Sequence, residues 1–277
     1  MDLGLGLGFG PTGAPVAAGF EFDNAEAEAV VARMSSEPDD TRKALIDTFV
    51  GSLKTAGIWT KLDTLHVLAA HAEQAGLLNW KANEFNGTNG GASFVADRGF
   101  TPGTAGQVIT TDFDPGVARS GGDETTDYQF NEDSFSGHVG VVTLTTAGNF
   151  NNADLAFSSG DFRVAGSSSG GGSGRGWLHS TLVAVAAPAG DAPHHIITSR
   201  SSDVSAFAYR NGVAGTERTT LVTGGLVGVL VIGAQSAVLT PSPRQIAMAH
   251  TGANLSAGEA SAFYTAAQTY LSALGAM

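Results

Sequence analysis

The sequence has no cysteine and few positive charges. Without cysteine it cannot form a disulfide, a thiol nucleophile or a cysteine-ligated metal site. Lys and Arg total 14 against 26 Asp and Glu, which gives a net charge of −12. No basic run interrupts this balance, so nucleic-acid binding through a basic patch is not expected. Long apolar runs and a basic signal-peptide start are also lacking, so we expect no membrane span and no general secretory route.

Glycine and small polar residues are abundant instead. Glycine accounts for 38 of 277 residues, and short apolar runs alternate with turn-forming residues from about residue 90 onward. This mixture is typical of an all-β protein with many turns. Core runs such as Val139–Leu144 and Leu182–Val185 predict strands of a β-sandwich.

The last third of the chain carries the clearest local signals. Asn211-Gly212 follows an alternating strand pattern and predicts a two-residue hairpin turn, because both positions of that turn need a positive φ. Ser256 and Glu259 have the spacing of a capping box, in which each side chain satisfies a backbone donor at a helix start. Apolar residues then repeat every three or four positions and predict a closing helix over 255–274.

The order of these elements resembles the second half of a concanavalin A-like (laminin G-type) jelly roll. It is most similar to virion proteins that tailed bacteriophages and prophages carry on that fold, and the similarity extends over roughly residues 40–277. The resemblance implies a mainly β protein, a concanavalin A-like β-sandwich with an N-terminal helical segment and a C-terminal helix. We expect an extended arm at 1–20, the helical segment at 21–80 and the jelly roll at 81–277.

The arm has a pattern of its own. Leu3, Leu5, Leu7 and Phe9 alternate with glycines, so an extended strand would place all four apolar side chains on one face. The glycines leave the other face open to a second backbone. We hypothesise an assembly arm that adds to another virion protein or to a sister subunit; a disordered tail is the alternative.

The resemblance implies a structural or adhesion component of a phage or phage-like particle, such as a tail fibre, a tail-tip decoration or a head spike. Its partners would be other virion proteins, further copies of itself in a homo-oligomer, and a host surface polysaccharide. The protein would be assembled in the host cytoplasm and released by lysis. The alternatives are a free carbohydrate-binding lectin module and, with less support, a glycan hydrolase. We predict that the protein is not an enzyme.

One carboxylate motif is the evidence in favour of a glycan hydrolase. Glu21, Asp23 and Glu26 match the Glu-x-Asp-x-x-Glu signature of jelly-roll glucanases. That chemistry needs a strand on which alternate carboxylates face one cleft. Here the motif runs into a helical pattern, where acidic residues favour the positive end of a helix. The sequence therefore favours a helix start over a catalytic site.

The candidate ligand-binding residues are loop amides, carboxylates and an Arg–Trp pair: Asn131, Asp133, Asn151, Asn152, Arg175 and Trp177. Such groups hold sugars, and in some lectins calcium, at one rim of this fold. The alternatives are ordinary turn residues and a half-buried core Trp. We predict no cofactor and no metal, with calcium as the weaker possibility. His194 and His195 should point to opposite faces of a strand, and the histidines show no metal-ligand spacing.

Overall fold

A computed structural model describes residues 19–115, 136–145, 152–158, 162–165, 175–178, 181–184, 192–219, 228–234 and 241–277. These residues form two antiparallel sheets that face each other, with helices packed on the outside of one sheet. The mainly β sandwich predicted from the sequence is confirmed. No helix among the described residues has the length and apolar character needed to span a membrane.

The strands of the first sheet, in spatial order, are β13 (Val213–Ala214), β12 (Ser205–Arg210), β11 (His194–Ser202), β6 (Gly137–Thr143), β15 (Ile246–Gly252), β4 (Gly99–Thr101) and β3 (Ser93–Val95). Strand β1 (Leu62–His66) also pairs with β15. The second sheet has the order β10 (Thr181–Ala184), β9 (Arg175–Leu178), β8 (Phe162–Ala165), β7 (Leu155–Phe157), β14 (Leu230–Ile232), β5 (Ile109–Thr110) and β2 (Thr88–Asn89).

The space between the sheets is an apolar core. Val139, Val141 and Ile196 of the first sheet pack with Leu155 and Phe157 of the second, all of them fully buried. The two backbones come close where β9 crosses β11. A Cβ at Gly176 would collide with the side chain of Thr198, so only glycine fits that crossing.

A helical layer covers the outer face of the first sheet. It contains α1 (Ala25–Val31), α2 (Asp40–Thr55), α3 (Glu73–Leu77) and α4 (Ala257–Ala273). Phe49 of α2, Trp80 and Tyr270 of α4 form an aromatic cluster with ring centroids 5.2–6.2 Å apart. Within the described parts of the chain, the apolar cluster that α1, α2 and α4 share with a sheet contains residues of the first sheet and none of the second, whereas Leu77 of α3 packs on the core between the sheets.

Both local predictions for the last third are confirmed. Asn211 and Gly212 have φ values of 50° and 77°, as the hairpin turn between β12 and β13 requires. Ser256 caps α4, and the side chain of Glu259 accepts a hydrogen bond from the Ser256 backbone in return. The segment predicted to be helical also contributes β1 to the first sheet, and its helices pack on the outer face of that sheet.

The strand directions define two ends of the sandwich. At one end, His194 and Ile246 both lie opposite Thr143, and Leu155 lies opposite Ile232. We call this the loop end, because the connections β6–β7, β8–β9, β10–β11 and β14–β15 all join strand ends located there. The antiparallel pairing of the strands therefore brings the strand ends that these four connections join to the same edge of the core.

Candidate functional site

A buried polar cluster lies beneath the loop end and links the two sheets. We call it the rim cluster and define it as Asn152, Asp154, Ser242 and Arg244. Arg244 Nη1 lies 3.0 Å from Asp154 Oδ1, and neither side chain is exposed to solvent. The hydroxyl of Ser242 donates to the same carboxylate oxygen.

Backbone atoms complete the cluster. Arg244 Nη1 also donates to the carbonyl of Asn152 at 3.0 Å. The Asn152 side-chain amide in turn donates to the carbonyl of Pro241 at 3.0 Å. Each bond joins the segment before β7 to the segment before β15, which are the ends of two of the four connections. Because a buried ion pair is stable only when its remaining polar atoms are also bonded, the network fixes the ends of both connections to each other.

His194 lies near this cluster at the start of β11. Its Nε2 atom is 2.8 Å from the Thr143 hydroxyl. The pKa of His194 is lowered to about 3, mainly by burial and in smaller part by the positive charges of Arg210 and Arg244. The imidazole is therefore neutral at pH 7, which leaves the two arginines as the cationic groups around it.

The predicted ligand residues have different outcomes. Asn152 is described and is 8% exposed, with its amide committed to Pro241. The Asn152 side chain therefore stabilises the loop end through this hydrogen bond. Asn151 lies outside the described residues, immediately before it. The backbone of Arg175 and Trp177 lies in β9, where Arg175 pairs with Ala165 and Ala184 at the loop end.

Asn131 and Asp133 lie outside the described residues, in the segment that leads to Ser136 and β6. Strand β6 begins at Gly137, which pairs with Arg200 at the end of the sandwich opposite the loop end. Three of the six predicted ligand residues, Asn131, Asp133 and Asn151, therefore lie outside the described residues. The residues Leu3, Leu5, Leu7 and Phe9 of the arm also lie outside the described residues.

The carboxylate motif at Glu21, Asp23 and Glu26 lies at a helix start. None of the three is in a strand, and Glu26 is in the first turn of α1. Glu26 forms an ion pair with Lys54 of α2 at 2.7 Å, and the hydrogen bond from Lys54 lowers the pKa of Glu26. The motif therefore joins two helices, as the helix-start interpretation predicts.

Three buried histidines form a second polar network under α4, which we call the histidine chain. His138 Nε2 lies 3.0 Å from His250 Nδ1, and His250 Nε2 lies 2.8 Å from His195 Nε2. Phe263 of α4 packs on His250 with ring centroids 4.1 Å apart. Gly140 makes room for the central ring, because a Cβ there would collide with His250.

The geometry fixes the proton positions in this chain. The Ala253 carbonyl can only accept, so His138 Nδ1 carries the proton between them. His138 Nε2 must then accept from His250 Nδ1, and His250 Nε2 must accept from His195 Nε2. All three rings are neutral. Burial lowers the pKa of His138 to about 4 and of His195 to about 3, and it lowers the pKa of His250 well below its usual value.

The predicted orientation of His194 and His195 is confirmed. His194 faces the inside of the sandwich and meets Thr143, whereas His195 faces the helical layer and meets His250. Within the described residues, no group of three or more His, Asp or Glu side chains could hold a metal ion. Two hydrogen bonds in the histidine chain join ring nitrogens of neighbouring histidines, and His138 Nδ1 bonds the Ala253 carbonyl.

Sequence inspection missed the residues that build the rim cluster. Ser242 and Arg244 are separated from Asp154 by almost ninety positions, and no motif links them. The one available signal was an arginine at the start of a strongly apolar strand, where a cation needs a buried partner.

Comparison with known proteins gives similarities of structure alone. No protein-family model matches the chain, and no curated protein sequence matches it. A Trypanosoma rangeli sialidase aligns with a TM-score of 0.48 and 14% identity, over 82% of this chain and 39% of the sialidase. Domain 4 of AbnA, a GH43 extracellular arabinanase from Geobacillus stearothermophilus in complex with arabinotriose, aligns with a TM-score of 0.45 and 14% identity, over 73% of this chain and 99% of the domain. The chain thus spans about two fifths of the sialidase.

One prediction has to be corrected. The sequence led us to predict that the protein is not an enzyme. That prediction is wrong by this comparison, because the structures with which the chain aligns include a sialidase and a domain of an arabinanase, which are glycoside hydrolases. At 14% identity they assign no activity to this chain. None of the structures named here is a virion protein.

Proposed function

We propose that the protein is a carbohydrate-binding adhesion component of a phage-like particle, and that its loop end carries the glycan site. The observation that carries the proposal is the asymmetry of the sandwich. Helices cover the outer face of the first sheet, whereas the strand ends that four connections join lie together at the loop end, beside the rim cluster. Recognition by loops on a rigid scaffold is the usual arrangement in β-sandwich proteins.

The rim cluster supports this assignment by its position. A glycan offers many weak polar contacts, so its site must be held in place before binding if those contacts are to add up. Arg244 and Asp154 fix the ends of the β6–β7 and β14–β15 connections to each other. Asn151 immediately precedes Asn152 of the rim cluster, Arg175 begins β9 at the same end of the sandwich, and Trp177 follows in that strand.

Support for the virion role comes from the ordered resemblance described above. The hairpin at Asn211-Gly212 and the capped closing helix occur in the expected order. The partners we propose are other proteins of the particle and a host surface polysaccharide. The protein would be a virion component, released by lysis.

The binding proposal can be tested with the full chain on a glycan array that includes bacterial surface polysaccharides and arabinan. We expect Arg175→Ala and Asn151→Ala to weaken binding to the best glycan at least about tenfold, which corresponds to 1.4 kcal/mol. Val204→Ala is the control, because Val204 is exposed in the turn between β11 and β12 at the end opposite the loop end, and it should bind as the parent does. The opposite pattern, or no binding to any glycan, would overturn the assignment of the loop end.

The same preparation should be assayed for release of reducing ends from each glycan that it binds. Release would make the protein a glycan hydrolase. Immunogold electron microscopy with an antibody to the full chain tests the particle. Gold at a fixed site on every particle is the expected result, whereas unlabelled particles in a lysate that contains the protein would favour a free lectin.

A further inference from the structure

A groove runs between α2 and α4 on the outside of the helical layer. Its volume is about 720 Å³, and its walls are one face of each helix, from Leu45 to Ala56 and from Gly258 to Tyr270. None of the residues that line it carries a charge, although the protein contains 40 charged residues (14 basic and 26 acidic). An uncharged groove on an acidic protein favours an uncharged, apolar occupant.

Three of the hydroxyl groups in the groove are already bonded to their own helices. Ser52 donates to the carbonyl of Thr48 at 2.8 Å, and Thr265 donates to that of Ser261 at 3.0 Å. Thr269 donates to the carbonyl of Thr265 at 2.9 Å. These side chains therefore offer mainly methyl and methylene groups to an occupant. Gly258 has open space around it, because a Cβ there would meet no atom within 4 Å.

The N-terminal segment has the matching composition. Residues 3–9 contain three leucines, one phenylalanine and three glycines, and no charge. Extended, they span about 20 Å, and the two helix walls span about 17–18 Å. Side chains on one face of a strand repeat about every 7 Å, close to the 6 Å between helix positions four residues apart.

The described chain begins beside this groove. Asn24 donates through its side-chain amide to the backbone carbonyl of Asp47 in α2 at 3.2 Å. A Cβ built on Gly51, a residue of the groove wall, would lie 3.0 Å from the same amide nitrogen. Residues 10–18 can span about 30 Å, which exceeds the length of the groove. The segment can therefore reach the groove of its own chain.

We infer that the groove between α2 and α4 binds residues 3–9 of the same chain. The short connection keeps the segment at a high local concentration, which favours its own groove over that of a second copy. Net charges of −12 on both copies also disfavour close approach of two molecules. The arm would then bind to its own chain, whereas the sequence suggested that it binds another protein or a sister subunit. This inference does not depend on the proposed function.

Disulfide trapping can test this intramolecular binding without competing thiols, because the chain has no cysteine. Leu5→Cys combined with Thr265→Cys places one thiol on the segment and one on the exposed wall of the groove. Leu5→Cys combined with Thr88→Cys is the control, because Thr88 is exposed in β2 of the second sheet, whereas α2 and α4 pack on the outer face of the first sheet. Under mild oxidation we expect a crosslinked monomer from the first pair, in a yield about tenfold above that of the control.

A groove-filling variant adds a second readout. Gly258→Phe should lower the yield with Thr265→Cys, whereas Gly258→Ala should leave it unchanged, since both substitutions have room but only phenylalanine fills the groove. Equal yields from the two cysteine pairs would overturn the inference. Disulfide-linked dimers would also overturn it, and would return the arm to the role of an assembly element between copies.

Discussion

The rim cluster and the histidine chain are both buried polar networks, and they offset the free-energy cost of burying polar groups in opposite ways. In the rim cluster Arg244 lies against Asp154, and both side chains are fully buried. In the histidine chain three neutral rings pass hydrogen bonds to one another and finally to a backbone carbonyl. The first network depends on a charge pair, and the second depends on the absence of charge. The two should therefore respond differently to acid and to substitution.

Acid should produce the largest effect, and it should act through the histidines. A free histidine has a pKa near 6.5, whereas burial lowers the pKa of His66 and His138 to about 4 and of His194 and His195 to about 3. At pH values between the free and the lowered pKa, the unfolded chain binds more protons than the folded one. The free energy of unfolding therefore falls as the pH falls. From pH 7 to pH 5 we expect a loss of about 2 kcal/mol for each buried histidine.

Urea unfolding across this pH range measures the loss. His250→Leu should flatten the dependence, because it removes one buried titrating group. A free energy of unfolding that stays constant from pH 7 to pH 5 would contradict the neutral histidine chain.

Removal of one partner of the ion pair should produce the next largest effect. Arg244→Met leaves Asp154 buried opposite an apolar side chain, and such losses cost about 3–5 kcal/mol. Chemical denaturation at pH 7 measures the change in the free energy of unfolding. The double variant Arg244→Met with Asp154→Leu should recover much of it, because no uncompensated charge remains. If the double variant is no more stable than the single one, the charge pair is not the basis of this cluster.

A smaller effect is expected from crowding the histidine chain without changing any charge. Gly140→Ala would push against the His250 ring, which Phe263 covers on its other side, and overpacking of this kind costs about 1–3 kcal/mol. Gly258→Ala is the matched control in α4, where a Cβ meets nothing within 4 Å. It should be neutral or stabilising by about 0.5–1 kcal/mol. Thermal unfolding of both variants would contradict the packing argument if Gly140→Ala were as stable as the parent.

Local patterns in the sequence predicted much of the fold. The hairpin at Asn211-Gly212 and the cap at Ser256 were predictable, because a turn or a helix start depends on residues a few positions apart. The opposite faces of His194 and His195 followed from the two-residue repeat of a strand. Asn152 was selected as a loop amide, but only the structure shows that its side chain is buried against Pro241.

Composition and neighbouring residues in the chain are enough to predict the β class, the main turn, the capped helix and the exclusion of cysteine chemistry. The folded chain is needed to see that Asp154 meets Arg244, that three histidines share hydrogen bonds and that two helices leave an uncharged groove. These features join positions tens to more than two hundred residues apart. Their register depends on how the strands pair and how the helices pack, which no local pattern in one sequence specifies.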